Sequence, residues 1–177
     1  MKIFLILLLK VLTSIEPSNM DLQSDTNKIN GLRLTYDEYQ KWIDTDTKWD
    51  IKAKDITSLT ILNPEGVMIL RGQEYVINGL TFERLETLKE FINLKELYLV
   101  NLFVDDIPES FDQLQNLERL EISFSLNADL EHAIHVISKI KSLKRINVEY
   151  STITLERDEQ FTKAMKELGI KVDSMFD

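Results

Sequence analysis

The sequence predicts an α/β solenoid, in which parallel strands stack along one face and partly helical return segments stack behind them. The apolar phrase LxxLxL occurs three times, at residues 94–99, 117–122 and 143–148. The copies begin 23 and 26 residues apart, at positions 94, 117 and 143, within the period of about 20 to 29 residues that one strand and one return segment occupy. A looser copy at Ile56, Leu59 and Ile61 predicts an early, irregular coil.

The segments between the strands repeat as well. Apolar residues stand six and three positions before each strand phrase, in the pairs Leu88 and Phe91, Phe111 and Leu114, and Ile137 and Ile140. The spacing from Phe82 to Phe91 is near-helical, and residues 129–140 predict a fuller helix. A last helix is expected over 158–168, with Phe161, Met165 and Leu168 on its apolar face, ended by Gly169 and followed by a closing strand at Ile170 and Val172.

One return segment carries a specific family resemblance. Ile107 and Pro108, followed by Phe111, Leu114 and Asn116, resemble the leucine-rich repeat consensus. The chain is similar to a small, cysteine-free, irregular member of this family, well over 82–172 and loosely over 56–80. The resemblance implies a strand-lined concave face that binds macromolecules, and it implies no activity.

The resemblance also has a departure. The asparagine whose amide usually links adjacent loops is replaced, and the three positions hold Leu102, Ser125 and Ser151. Because a hydroxyl can replace only part of what an amide bonds, we expect the usual amide ladder to be missing and the curvature to be less regular.

Composition and termini divide the chain into four regions. Residues 1–14 contain an apolar run and form a possible export signal, and the polar stretch 15–31 is expected to be a linker. Residues 32–80 form an N-terminal cap, comprising a helix started by the capping box of Thr35 and Glu38, the irregular coil and a β-hairpin at 67–77. Residues 81–177 hold the repeats and a C-terminal cap. A cleaved signal would place the protein in the periplasm or outside the cell, and an uncleaved one in the cytoplasm.

Charge and motifs narrow the function classes. The chain carries 21 basic and 30 acidic residues, a net charge of −9, and no cysteine. This balance opposes nucleic-acid binding, and the apolar run is too short for a membrane span. No phosphate loop or nucleophile elbow is present, so we predict no enzyme and no cofactor.

Two stretches partly match metal-site patterns, and we predict a metal site at neither. His132 and His135 lie three apart on a predicted helix but have no further ligand at a recognisable spacing. The acidic stretch from Asp44 to Asp55 has Lys48 and Trp49 where a calcium loop needs an oxygen ligand and a glycine.

Strand alternation places the residues between the core leucines on the exposed face. Aromatic residues and arginine are enriched at binding hot spots, so we predict a protein–protein interaction module that binds a protein partner on this face. We expect the chain to be a monomer. The predicted partner-binding residues are Glu96, Tyr98, Arg119, Glu121, Phe124, Arg145, Asn147 and Tyr150, with Val100, Ser123 and Glu149 as a further column. The alternative is an acidic inhibitor or immunity-type protein that neutralises a basic toxin or nuclease.

Overall fold

The protein forms one parallel sheet. The computed structural model describes residues 31–44, 52–64, 80–148 and 153–174. Within these ranges the seven strands are β1 Gly31–Thr35, β2 Ser58–Leu62, β3 Leu80–Thr81, β4 Glu96–Val104, β5 Arg119–Phe124, β6 Arg145–Val148 and β7 Lys171–Ser174. Their order is β1-β2-β4-β5-β6-β7, with β3 also paired to β4. Each coil adds one parallel strand beside the last, so the expected α/β solenoid is confirmed.

The strand phrases lie in register across the sheet. Leu59 pairs with Leu97, Leu97 with Leu120, and Leu120 with Ile146. All four side chains are at most 2% exposed. Because equivalent apolar residues stack on one another, every coil buries the apolar side of its neighbour. The irregular coil at 56–61 is confirmed as a full member of this stack.

The first return segments are 3₁₀ helices, at Ala53–Asp55, Leu85–Glu90 and Glu109–Gln113. Phe82, Leu85, Leu88 and Phe91 are all buried. A spacing of three residues matches the three residues per turn of a 3₁₀ helix, in which every third side chain eclipses the first. The near-helical spacing therefore marks a 3₁₀ segment.

The later coils return through α-helices, α2 Leu130–Ile137 and α3 Leu155–Glu167. Asp129 caps α2, since its carboxylate accepts a hydrogen bond from the His132 amide. Helix α3 begins three residues before the expected Asp158, because Thr154 caps it by accepting a bond from the amide of Arg157. Leu155 is 56% exposed and does not belong to the buried face of this helix.

The end of α3 corrects one expectation. Leu168 is 44% exposed, so it does not belong to the buried face. The amide of Gly169 donates to the Lys166 carbonyl at 3.0 Å, and that of Ile170 donates to the Met165 carbonyl at 2.9 Å. These are the paired bonds of a Schellman cap, with Gly169 in the left-handed region at φ 77°. The turn directs Leu168 to solvent and Ile170 into the core.

An aromatic cluster packs the first described helix against the segment before β4. The capping box is confirmed, and α1 Tyr36–Asp44 follows β1 directly. Tyr36 and Tyr39 lie 5.2 and 5.5 Å from Phe82 between ring centroids, and Trp42 lies 5.2 Å from Phe91. Burial raises the pKa of Tyr39 far above its ordinary value. Strand β1 was not predicted, since the sequence interpretation ended the linker at Gly31 and assigned the other four residues of the strand to the cap without a strand.

A ladder of hydrogen bonds from side chains to backbone carbonyls links the coils, but it lies at a different position from the one in the family consensus. Leu102 is buried in the core. The residue before each strand phrase bonds the preceding coil instead: the Asn93 amide donates to the Lys54 carbonyl at 2.8 Å, that of Asn116 to the Ile92 carbonyl at 2.8 Å, and the Ser142 hydroxyl to the Leu117 carbonyl at 2.7 Å. The ladder runs along the edge where the strands begin.

The sheet is irregular at one place. The register between β4 and β5 shifts between Tyr98 and Phe103, where Asn101 has φ 56°. Strand β2 pairs with the first part of β4 and β3 with the last part, at Leu102 and Phe103. The predicted hairpin, the export signal and nearly all of the linker lie outside the described residues, and the division of the chain at 80/81 stays a prediction.

Candidate functional site

The surface of the sheet opposite the buried leucines, here the strand face, carries two rows of side chains. The first row runs across the strands as Gly31, Ser58, Glu96, Arg119, Arg145 and Lys171, and the second as Arg33, Thr60, Tyr98, Glu121, Asn147 and Asp173. Strand alternation produces both rows, because the residues between them point into the core. Six of the predicted partner-binding residues therefore come together: Glu96, Tyr98, Arg119, Glu121, Arg145 and Asn147.

Polar contacts run within the first row, from Arg119 to Glu96, and between the two rows, from Arg145 and Lys171 to Asp173. Arg119 lies 3.5 Å from Glu96, and Arg145 lies 3.5 Å from Asp173. The Lys171 ammonium lies 2.6 Å from the same aspartate. Its hydrogen bond, followed by its charge and that of Arg145, lowers the pKa of Asp173 below the ordinary value of 3.8. The Asp173 carboxylate is thus held ionised between two cations.

The strand face is rigid and open. Strands β2, β4, β5 and β6 each have a parallel neighbour on both sides. The side chains of Arg119 and Arg145 are 53% and 46% exposed, and Tyr98 is half-buried. The paired strands therefore set the backbone positions of these residues, while their side chains reach solvent.

Phe124 corrects the predicted site. Its side chain is fully buried, and its ring lies 5.1 Å from that of Phe161 in an edge-on contact. It continues the inward alternation of Leu120 and Ile122, so it belongs to the core under α3. Tyr150 and Glu149 lie outside the described residues, and their places on the strand face stay predictions.

The third predicted column is also wrong. Ser123 pairs with Phe103 rather than with Val100, and it is only 4% exposed. The register shift in β4 inserts extra residues at this level. Val100 instead lies opposite Leu62, and both are half-buried.

Several strand-face residues were missed. Arg33 and Thr60 extend the second row over β1 and β2, while Lys171 and Asp173 extend both rows over β7. The alternation of Leu32 with Leu34, and of Ile170 with Val172, was the available signal. It is short in both cases, because edge strands have few apolar residues on which a pattern can rest.

The return side holds a charged cluster around His132. Its Nδ1 lies 2.6 Å from Asp106 and its Nε2 lies 3.2 Å from Glu109, which also binds Lys139 at 2.6 Å. Hydrogen bonds to Asp106 and then Glu109 raise the pKa of His132, and hydrogen bonds from Lys139 and then His132 lower that of Glu109. The cluster joins α2 to the preceding 3₁₀ helix.

The structure describes both histidines of the first metal pattern and only part of the acidic stretch of the second. No group of three histidine or acidic side chains fit to hold a metal is found in residues 31–44, 52–64, 80–148 and 153–174. Asp44 forms an ion pair with Arg84 at 2.5 Å. Asp46 and Asp50 lie outside the described residues.

A groove of 410 Å³ lies between α2 and α3, over Phe161 and Ile134. Arg157 crosses it and donates hydrogen bonds to the carbonyls of Leu126 and Ala128. The guanidinium is thereby used to hold the loop before α2 against α3. The arginine in this groove therefore has a structural role, and the groove is not proposed as a ligand site.

The stacked coils, the inward LxxLxL residues and the return helices define a leucine-rich repeat solenoid. Within the described ranges no helix has the length and apolar character needed to cross a membrane.

No model of a known protein family matches the sequence, and no curated protein matches it. Among solved structures, it is similar to a leucine-rich repeat protein of Leptospira interrogans, with 20% identity and a TM-score of 0.42 over 67% of this chain. The match spans 25% of the length of that protein.

Proposed function

We propose that this chain is a protein–protein interaction module that binds its partner on the strand face. The observation that supports this most directly is the register, which places Tyr98, Arg119 and Arg145 on three consecutive strands of one sheet. Tyrosine and arginine dominate binding energy at protein interfaces. Because the backbone beneath them is already ordered, little conformational entropy is lost when a partner docks.

The strand face supports recognition better than catalysis. Of its described carboxylates, Glu96 and Asp173 are 35% and 39% exposed and are paired with cations. The third, Glu121, is half-buried and accepts a hydrogen bond from the Asn147 amide at 3.3 Å. A general acid or base needs a carboxyl group whose pKa is brought near the working pH by desolvation. Asp173 shows the opposite shift, toward a lower pKa. The proposed role is therefore binding without chemistry.

The charge distribution bears on the alternative of an acidic inhibitor. Lys171 is 62% exposed, more than any carboxylate with which the strand-face cations pair. A basic toxin or nuclease would meet these cations first, so that alternative would need the carboxylates of the return side. We propose the strand face as the binding surface and a partner that is not basic.

Export through residues 1–14 belongs to the same proposal, and the N-terminal mass of the mature chain tests it.

Affinity capture with matched variants tests the proposed function. The test variant is Tyr98→Ala/Arg119→Ala/Arg145→Ala, which removes one ring and two cations from the strand face. The control is Ile92→Ala/Lys89→Ala/Lys163→Ala, which removes one exposed apolar side chain and two exposed cations from the return side. Both change the net charge by −2. A partner retained by the wild type and the control but lost by the test variant supports the proposal. A partner lost only by the control contradicts it.

A further inference from the structure

We infer that the strand face takes an acidic helical segment of its partner, with carboxylates of that segment seated on three cations in register. The inference rests on the proposed function and names the partner's chemistry. The three cations, called the cation row, are Arg119, Arg145 and Lys171, one each on β5, β6 and β7. Three consecutive coils thus repeat one charge at one position, in a chain whose net charge is −9.

The cation row is the outermost charge of this part of the strand face. Its three side chains are 53%, 46% and 62% exposed. The carboxylates that pair with them, Glu96 and Asp173, are 35% and 39% exposed. A docking surface therefore meets the ammonium and guanidinium groups before it meets the acids.

The existing ion pairs do not prevent a partner carboxylate from binding. Arg119 and Arg145 each lie 3.5 Å from their carboxylates, which is longer than the 2.7–2.9 Å typical of a charge-assisted hydrogen bond. Lys171 lies closer to Asp173, at 2.6 Å, but its ammonium has three donors and is 62% exposed. Exposed ion pairs contribute little to stability because both charges stay hydrated. A guanidinium has five donors and can bind a second carboxylate while it keeps the first.

The spacing of the row favours a helix over an extended segment. Adjacent strands lie about 4.8 Å apart, so the row spans about 10 Å over its two steps. Side chains at i, i+4 and i+7 of an α-helix span about 10.5 Å along one face. Alternate residues of an extended strand span about 13.5 Å over two steps. Carboxylates on one helix face therefore match the cation row, and those of a strand overshoot it.

The neighbouring strands limit the segment at one end. Glu96 occupies the next position of the row on β4 and would repel a fourth carboxylate. Beside it, Tyr98, Val100 and Leu62 form a half-buried aromatic and apolar area on β2 and β4. The segment that fits carries three carboxylates followed by an apolar side chain over this area.

Synthetic peptides test the partner chemistry directly. The first probe is an alanine-rich peptide of about 18 residues, long enough for partial helicity in water, with glutamates at i, i+4 and i+7 and a leucine one turn beyond. The second has the same composition with the glutamates distributed around the helix, and the third has lysines in place of the glutamates. Binding is measured by fluorescence anisotropy at low and high salt.

Matched variants accompany the peptides. Arg119→Gln/Arg145→Gln/Lys171→Gln removes the cation row, and Lys89→Gln/Lys163→Gln/Lys166→Gln removes three exposed cations from the return side. Circular dichroism is used to check that both variants fold like the wild type. We expect the first peptide to bind at least about tenfold more tightly than the other two, with an affinity that falls with salt and is lost only in the first variant.

Three results would overturn the inference: no binding of the first peptide, equal or tighter binding of the lysine peptide, or acidic-peptide binding that survives loss of the cation row. None of these results decides the proposed function. The capture experiment also removes Tyr98 and detects whichever partner is present. If the test variant loses a partner in the capture experiment while the peptides do not bind, binding on the strand face is supported and only the acidic helix is rejected.

Discussion

The assignment of Phe124 to the core makes a quantitative prediction. Its side chain is fully buried and lies edge-on to Phe161, 5.1 Å away. Truncating a buried phenylalanine costs about 3 to 5 kcal/mol, because burial is lost and a cavity remains. Phe124→Ala should lower the free energy of unfolding by that amount, and the midpoint of thermal unfolding by about 6 to 20 °C in a chain of this size.

The ring contact can be measured separately. Edge-on aromatic pairs contribute about 0.5 to 1.5 kcal/mol beyond burial. We therefore expect a coupling energy of this size between Phe124→Leu and Phe161→Leu in a double-mutant cycle. Urea unfolding, monitored by circular dichroism, measures it. The matched surface control is Tyr98→Ala, which should cost about 1 kcal/mol or less.

The opposite pattern would refute this reasoning. If Phe124→Ala leaves the urea midpoint unchanged while it abolishes partner capture, then Phe124 lies on the binding surface. The original sequence interpretation of this residue would then be right. A coupling energy near zero would show that the two rings do not touch in solution.

Three further predictions concern the return side and the ladder. The pKa of His132 is raised in the folded protein, so its ion pairs stabilise the fold fully below pH 6.5 and are lost as the pH rises through the raised pKa. The urea midpoint of the wild type should therefore fall over that pH range. The midpoint of His132→Gln should change less over the same range. Gly169→Ala should cost about 1 to 2 kcal/mol in chemical unfolding, because φ is 77° there, while Gly169→Asn should cost less. Asn116→Ala should cost about 1 kcal/mol, since it removes one bond of the ladder; an unchanged thermal midpoint would argue against the ladder.

The stacked strands could be predicted because their signal is repeated. Leu97, Leu120 and Ile146 occupy the same place in three phrases, and one parallel register satisfies all of them. The return segments were predictable for the same reason. Six strand-face residues followed from alternation alone, without any knowledge of a partner.

The register shift in β4 could not be predicted. Residues 97–104 are apolar at seven of eight positions, so the run supports inward alternation from Leu97 or from Leu102 equally well. The structure uses both and places Asn101 between them, in the left-handed region. The third column failed because the choice between the two alternations depends on which strand lies beside each part, and that is a tertiary contact.

The error at Phe124 had a local cause. Aromatic residues are frequent at interfaces, but Leu120 and Ile122 place Phe124 on the inward side of the same strand. The ladder residues Asn93, Asn116 and Ser142 repeat one position before each strand phrase, whereas the family consensus points to the position of Leu102. Alternation and repetition were better guides than residue type in both cases.

Site-specific photocrosslinking tests most directly whether the strand face is the binding surface. Benzoylphenylalanine would be placed in separate chains at the positions of Thr60 and Tyr98 on the strand face, and of Lys89 and Lys163 on the return side. Irradiation in cells that contain the native partner should give covalent adducts from the strand-face positions and none from the other two. Adducts formed only at Lys89 or Lys163 would contradict the proposal and move the binding surface to the return helices.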